Sequence, residues 1–367
     1  MRVLATVERY APAIGGAERV VQRVAEGLAA RGHDLHVVTG GTTEETEIGG
    51  VKVHRVPVSG NEVRGIHGDG AAILSLIEQI KPDLVFNYAA QTWATDCCFS
   101  LLTREDRPRM VLAPCGFSGL DKRRYRDYFA AMPARLRAYD ALILHSTVYQ
   151  DWKFAAAAGV ERMHVVPNGA DPPASGDPLG LATPGRALAV TVGSHVVSKG
   201  HAQFARALRA LGRGRAVSGV IVAPPRRGLD ALRGCQLTCQ ARAHIQQLNI
   251  VDGSAPGAVA GAISAADLFL FTSRVECAPL VILEAMAAGT PWVSYDVGNV
   301  SELSGGVVAA DTAGLLDAAG EILDGRRGDL GAQGREDWEA SHRWEDIVPR
   351  YESVFETVLE SASIHGR

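Results

Sequence analysis

Short apolar runs alternate with segments of helical period along the chain. The first run, Val3 to Val7, leads through a glycine-bearing loop to Val20, Val21, Val24 and Leu28 on one helical face, ending at Gly32. A second run follows at Leu35 to Thr39. Strand, loop, helix and strand in this order, with strands apolar nearly throughout, predict a parallel sheet covered on both faces. The alternation continues through Val51 to Pro57, a helix over Ala71 to Ile80, and strands at Pro82 to Phe86, Met110 to Ala113 and Asp140 to Leu144.

A Pro-Asn-Gly-Ala-Asp turn at 167–171 and a Gly/Pro-rich tract from Pro172 to Gly185 interrupt the pattern, which reads as a domain boundary. The alternation then restarts. Strands are expected at Ala187 to Val192, Val217 to Ala223, Asn249 to Gly253 and Leu268 to Phe271, with helices over Ala202 to Leu211 and Val259 to Asp267. Near the end Trp344, Ile347, Tyr351, Val354, Phe355 and Leu359 recur at helical spacing. The expected division is 1–170, 171–344 and a terminal helix over 345–367.

The 367 residues suffice for two ordinary domains, and 47% hydrophobic with 21% charged residues makes them globular. A net charge of −4 argues against a general nucleic-acid binder. Six scattered cysteines make no secreted disulfide framework. The opening MRVLATVERY is too short in apolar length for a signal peptide, and no stretch reaches a membrane span, so a cytoplasmic protein is expected.

The richest chemistry lies between Thr272 and Glu302. Arg274 and Glu276 sit in a loop after the Leu268 to Phe271 strand, Pro279 opens a helix and Gly289 closes it. That helix is apolar except for Glu284, and a carboxylate on a buried helix requires a partner, either a structural donor or a bound hydroxyl group. The end of a parallel strand is where such sheets bind ligands, and a helix start offers free N–H groups to phosphate. The first domain has paired glycines, Gly15 and Gly16, that would let backbone amides approach an anion, but it lacks the G-x-G-x-x-G dinucleotide fingerprint.

Glu276, seven residues, then Glu284 followed by Ala-Met-Ala-Ala-Gly-Thr-Pro resembles the signature of the family-4 retaining glycosyltransferases. The segment Gly15 to Arg19, Arg31-Gly32-His33, the 167–171 turn, and Lys199-Gly200 are similar to the same family. The resemblance implies an α/β protein of GT-B fold, two Rossmann-like doubly wound domains facing a cleft, with the terminal helix crossing back to the first domain. It implies transfer of a sugar from a nucleotide diphosphate-sugar to an acceptor hydroxyl with retained configuration, without a metal or other cofactor. Glu284 would hold the donor ribose and Glu276 the donor sugar. Lys199, with Gly193 and Ser194 in its loop, would meet the diphosphate. Arg274 and the backbone around Ala278 and Leu280 complete the expected donor set.

Three positions depart from the family pattern. Cys115, in Cys115-Gly116, stands where many relatives have histidine. Ser194 stands where they have the arginine that joins Lys199 on the diphosphate, and Pro279 removes an amide where they often have glycine. Acceptor contacts are expected from the first-domain loops, at Asn87, Gln91, Cys115 and Phe117. His145, at a strand end, is a third catalytic candidate beside Glu276 and Lys199, although a lone histidine is as readily structural.

The stretch from Asp121 to Arg137 sets six cations against two acids. It reads as a solvated helix face or as a site for an anionic acceptor or a peripheral contact with the inner face of a membrane. Cys235-x-x-x-Cys239 puts two thiols on one helical face with His244 beyond. Zinc needs three or four ligands and no further cluster is nearby in the chain, so no metal site is expected. The partners expected are a nucleotide-sugar and a glycan, lipid-linked, protein or small-molecule acceptor. The alternatives are a nucleotide-sugar epimerase or phosphorylase on the same fold, or a binding protein with weak or lost catalysis.

Overall fold

The computed structural model describes residues 1–13, 15–42, 46–174, 176–226, 228–232, 234–244 and 247–365, with side chains to residue 361. The chain forms two compact units, Met1–Asn168 with Trp344–Arg367, and Gly169–Arg343.

In the first unit the strand Arg2–Thr6 lies in the interior of an eight-stranded sheet, between Asp34–Gly40 and Leu84–Tyr88. Beyond Leu84–Tyr88 come Arg109–Ala113, Ala141–Leu144 and Met163–Val165, and beyond Asp34–Gly40 come Val51–Val56 and an antiparallel edge strand, Glu47–Ile48. The other pairings are parallel. Leu4, Val37, Val38, Val85 and Met110 are buried, as strands covered on both faces require. The helix Trp344–His365 packs against the helix Gly16–Ala30: Glu352 joins Arg31 at 2.7 Å and His33 at 2.6 Å. Its Tyr351 and Phe355 close edge-on and tilted over Phe86, with ring centroids 5.8 and 5.3 Å away. A short hairpin, Ser59–Asn61 with Gly65–His67, is an element that the apolar pattern did not predict.

The second unit has a six-stranded parallel sheet. Ala187–Val192 sits inside it, with Val217–Ala223 and then Leu248–Asp252 on one side, and Leu268–Phe271, Trp292–Tyr295 and Gly306–Ala309 on the other. The chain order reverses at Ala187–Val192. The loops leaving Val192 and Phe271 therefore start from adjacent strand ends at a topological switch point, the place where open sheets of this kind receive ligands. The helix Leu280–Ala288 follows the second of these loops. Its first residue is Leu280, so Pro279 is the N-cap rather than the first helical residue, and Gly289 ends the helix at φ 68°.

Candidate functional site

The two loops at the switch point are stitched together by backbone and hydroxyl contacts. Thr272 Oγ1 donates to the Gly200 carbonyl at 3.0 Å, Ser273 Oγ to the Ser198 carbonyl at 3.3 Å, and the Arg274 N–H to the same Ser198 carbonyl at 2.8 Å. Gly200 has φ 73°, and a Cβ there would lie 1.9 Å from the Thr272 carbonyl oxygen. Only glycine permits this approach. The result is an ion pair between residues 77 positions apart: Lys199 Nζ donates to Glu276 Oε1 at 2.7 Å. The Glu276 side chain is 12% exposed and that of Lys199 28%, so the pair is partly sheltered from screening while Lys199 stays reachable. Gly193 lies against the Lys199 stem.

Around this pair, Ser194 and Arg274 are exposed, whereas Ala278, Leu280 and Glu284 are half-buried. Glu284 is the fifth residue of the Leu280–Ala288 helix, and its neighbours Leu283, Ala285 and Met286 are buried. The helix is thus inserted in the core, with its one carboxylate on the less covered side. Arg274 leaves the chain next to Ser198, in the same stitched pair of loops as Ser194 and Lys199. The segments that carry the expected donor residues Gly193, Ser194, Lys199, Arg274, Glu276, Ala278, Leu280 and Glu284 come to one sheet edge in the second unit.

The first-unit candidates separate. Asn87 is fully buried: its amide donates to Thr6 Oγ1 at 2.8 Å and accepts from Tyr139 OH at 2.9 Å. Phe117 is 1% exposed and packs on Phe129 and Phe154. Both are core residues, and the expectation that they line an acceptor surface is corrected on that ground. Gln91, at φ 62°, clasps Ser118 with both ends of its amide, at 2.9 and 2.7 Å. It holds the loop rather than presenting itself.

His145, a catalytic or structural candidate from its strand end, is placed in the interior with structural partners. It is 3% exposed, with Nε2 at 3.1 Å from Tyr88 OH and Nδ1 at 3.0 Å from the Val166 carbonyl. Cys115, at φ 55°, points its thiol at the same Tyr88 hydroxyl, 3.6 Å away. Burial pulls the imidazole's pKa down, but Cys115, the Val166 carbonyl and Asp151 outweigh it and leave the ring above its ordinary value. Asp151 in turn accepts from the Gly116 N–H at 3.0 Å. The Cys115-Gly116 turn is therefore held from below by a buried polar network, which the sequence showed only as scattered residues.

At the start of the Gly16–Ala30 helix the Glu18 side chain, 6% exposed and paired with Arg9 at 2.7 Å, folds over Gly15. The expected anion position beside Gly15 and Gly16 thus already has a carboxylate at its edge. In the basic stretch, Arg135 is spent on Glu62, at 2.6 and 2.8 Å, and on the Phe99 ring, and Arg137 on the Ala158 carbonyl. Lys122, Arg123, Arg124 and Arg126 remain exposed. No helix among the described residues is long and apolar enough to cross a membrane.

Comparison with known proteins adds the family. Residues 14–173 match the family described as Glycosyltransferase Family 4, and residues 186–325 match Glycosyl transferases group 1. The N-acetyl-alpha-D-glucosaminyl L-malate synthase of Bacillus anthracis is 34% identical over 109 residues, which are 28% of this chain and 29% of that protein. The chain is thus matched over under a third of that relative's length. The structure of sucrose-phosphate synthase from Thermosynechococcus elongatus superposes with a TM-score of 0.82 at 17% identity, covering 98% of this chain and 99% of that one. Anabaena Alr3699/HepE in complex with UDP-glucose superposes with a TM-score of 0.69 at 16% identity, covering 99% of each chain. These likenesses show a shared GT-B architecture.

Proposed function

Because the chain belongs to the family-4, group 1 glycosyltransferases of GT-B fold, we propose that it moves a sugar from a nucleotide diphosphate-sugar to an acceptor hydroxyl with retention at the anomeric carbon. The observation that carries the reading is the Lys199–Glu276 pair, set at 2.7 Å at the switch-point edge with Glu284 on the following helix. As the bond from sugar to diphosphate breaks, negative charge grows on the phosphate oxygens and positive charge on the sugar ring. Lys199 donates to the first, and Arg274, from the adjoining loop, supplies the second cation that Ser194 cannot. Glu276 aligns the Lys199 ammonium and accepts from donor-sugar hydroxyls, and its charge favours the developing oxocarbenium ion. Glu284 accepts from the ribose diol. The leaving diphosphate oxygen then takes the proton that the acceptor hydroxyl loses, so that the acceptor attacks from the face the diphosphate leaves and configuration is retained.

The donor base and sugar and the acceptor follow from assay. The names of the relatives put UDP-sugars, an N-acetylglucosaminyl donor and L-malate in the panel. The test is the wild-type chain with nucleotide-sugars and mixed acceptors, with the product's anomeric configuration read by NMR. A product of the donor's configuration, lost in Glu276→Gln and Lys199→Ala, supports the reading. An inverted product contradicts retention. Tight donor binding with no product across the panel would favour the second reading, a nucleotide-sugar-binding protein, which the exposed Ser194 in place of a cation makes the relevant alternative.

A further inference from the structure

Four side chains of the second unit converge in its interior: His195, His201, Cys235 and Cys239, exposed by 1%, 1%, 8% and 1%. One ligand atom from each lies within 4.8 Å of all the others. Cys235 Sγ stands 3.4 Å from His201 Nδ1 and 3.9 Å from His195 Nδ1, and Cys239 Sγ stands 3.8 Å from His201 Nδ1. The cysteines are free thiols. The local sequence shows only the two cysteines, with His244 beyond them. The structure supplies two histidines from 34 and 40 positions before Cys235, in the segment that ends one strand and opens the next helix, and His244 is not among the four.

The backbone assembles this cluster independently of what fills it. Gly234, at φ 81°, sits so that a Cβ would meet the His195 carbonyl oxygen at 1.9 Å, and the Cys235 N–H donates to that carbonyl at 3.3 Å. Cys239 follows one helical turn later, its N–H bonded to the Cys235 carbonyl at 2.9 Å. Two imidazoles are costly to bury, and thiols are weak hydrogen-bond partners that offset little of that cost. As plain packing the cluster is poor.

We propose that His195, His201, Cys235 and Cys239 form a structural zinc site. A tetrahedral zinc with Zn–S of about 2.3 Å and Zn–N of about 2.0–2.1 Å needs S···N edges of roughly 3.5 Å. Three of the four S···N edges, at 3.4, 3.8 and 3.9 Å, reach that with movements of a few tenths of an ångström, and every other pair lies within 4.8 Å. Two thiolates and two imidazoles suit zinc rather than magnesium, calcium or manganese, which prefer oxygen. With four protein ligands no position is left for water or substrate, so the ion is structural. Its consequence is mechanical. His195 and His201 bracket Val196 to Gly200, the segment that carries Lys199, so the ion ties that segment to the helix Gln236–Ala243.

The test is metal analysis of the full chain, purified without chelator or affinity histidines after growth with zinc. About one zinc per chain is expected in the wild type and in His244→Gln, and less than about one-tenth in Cys235→Ser/Cys239→Ser. Cobalt exchange is expected to give tetrahedral ligand-field bands with thiolate-to-cobalt charge transfer, a readout on the wild type that stands even where the double variant fails to fold. Stripping the ion should lower Tm, and restoring it should recover the loss. Wild type that holds no more zinc than the double variant would overturn the proposal. So would a native Cys235–Cys239 disulfide in the intact mass, or cobalt bound without thiolate bands.

Discussion

At Gly200 two constraints coincide, a left-handed backbone and a carbonyl oxygen 1.9 Å from where a Cβ would stand. Gly200→Ala is expected to destabilise the second unit by about 1–3 kcal/mol from backbone strain, with added cost from the clash. A urea titration read by a probe in that unit checks this, and an unchanged midpoint would contradict it. Lys199→Ala removes the partner of a Glu276 side chain that is 12% exposed, so it should lower Tm as well as catalysis. About 100- to 1,000-fold in kcat is the expected outcome by analogy with removal of one donor to a developing oxyanion, read on protein still folded at the assay temperature. The placement of these residues at one sheet edge was legible in sequence because it travels with short local patterns, Lys199-Gly200 and the spacing from Glu276 to Glu284. Asn87 and Phe117, expected on an acceptor surface, are core residues, and His145 has the structural surroundings that its strand-end position left open. Strand-end position alone does not tell inward from outward: Asn87 bonds Thr6 and Tyr139, His145 bonds the Val166 carbonyl, and Phe117 packs on Phe129 and Phe154, partners distant in the chain.

Among the elements, the loop and helix around Asp96 in the first unit carry a pH dependence. Asp96 is 7% exposed, accepts from the Glu62 N–H and Tyr128 OH at 2.9 Å each, and is pushed up to about 6, chiefly by burial. Its folded value lies above the unfolded one near 3.8, so the folded state holds the extra proton between them. The group's contribution is fully present below the unfolded value and is lost as pH rises through the folded one. Relative to Asp96→Asn, the wild type should therefore gain stability on acidification from pH 7.5 to 4, by at most about 3 kcal/mol. Parallel denaturation series of the two proteins test it, and a constant difference across that range would contradict it. Elements of long period and strong apolar contrast, such as Ala187–Val192, Val217–Ala223 and Leu268–Phe271, were readable to the residue. The hairpin Ser59–Asn61 with Gly65–His67 was not, because its residues are small or polar and their pairing is set by turn geometry rather than by hydrophobic contrast.

At the scale of the whole molecule, the last helix does not join the unit that precedes it in the chain. The helix Trp344–His365 returns to the first unit, where Glu352 meets Arg31 and His33 and where Val348 packs on Gly27 so closely that a Cβ there would overlap it. The apolar spacing of Trp344, Ile347, Tyr351 and Phe355 foretold a helix but could not say which unit it covers. The same limit hid the four-residue cluster, since ligands separated by more than thirty positions become neighbours only through the sheet order. The measurement that most directly tests the central claim is a thermal-shift series of the wild type and Glu284→Ala against UDP, GDP, ADP and their sugar conjugates. One nucleotide class should raise the wild-type Tm in proportion to the logarithm of its concentration above Kd, and Glu284→Ala, itself folded, should lose most of that rise. A folded wild type that none of these nucleotides stabilises, or a rise that Glu284→Ala keeps in full, would contradict a donor site built on Glu284, Glu276 and Lys199.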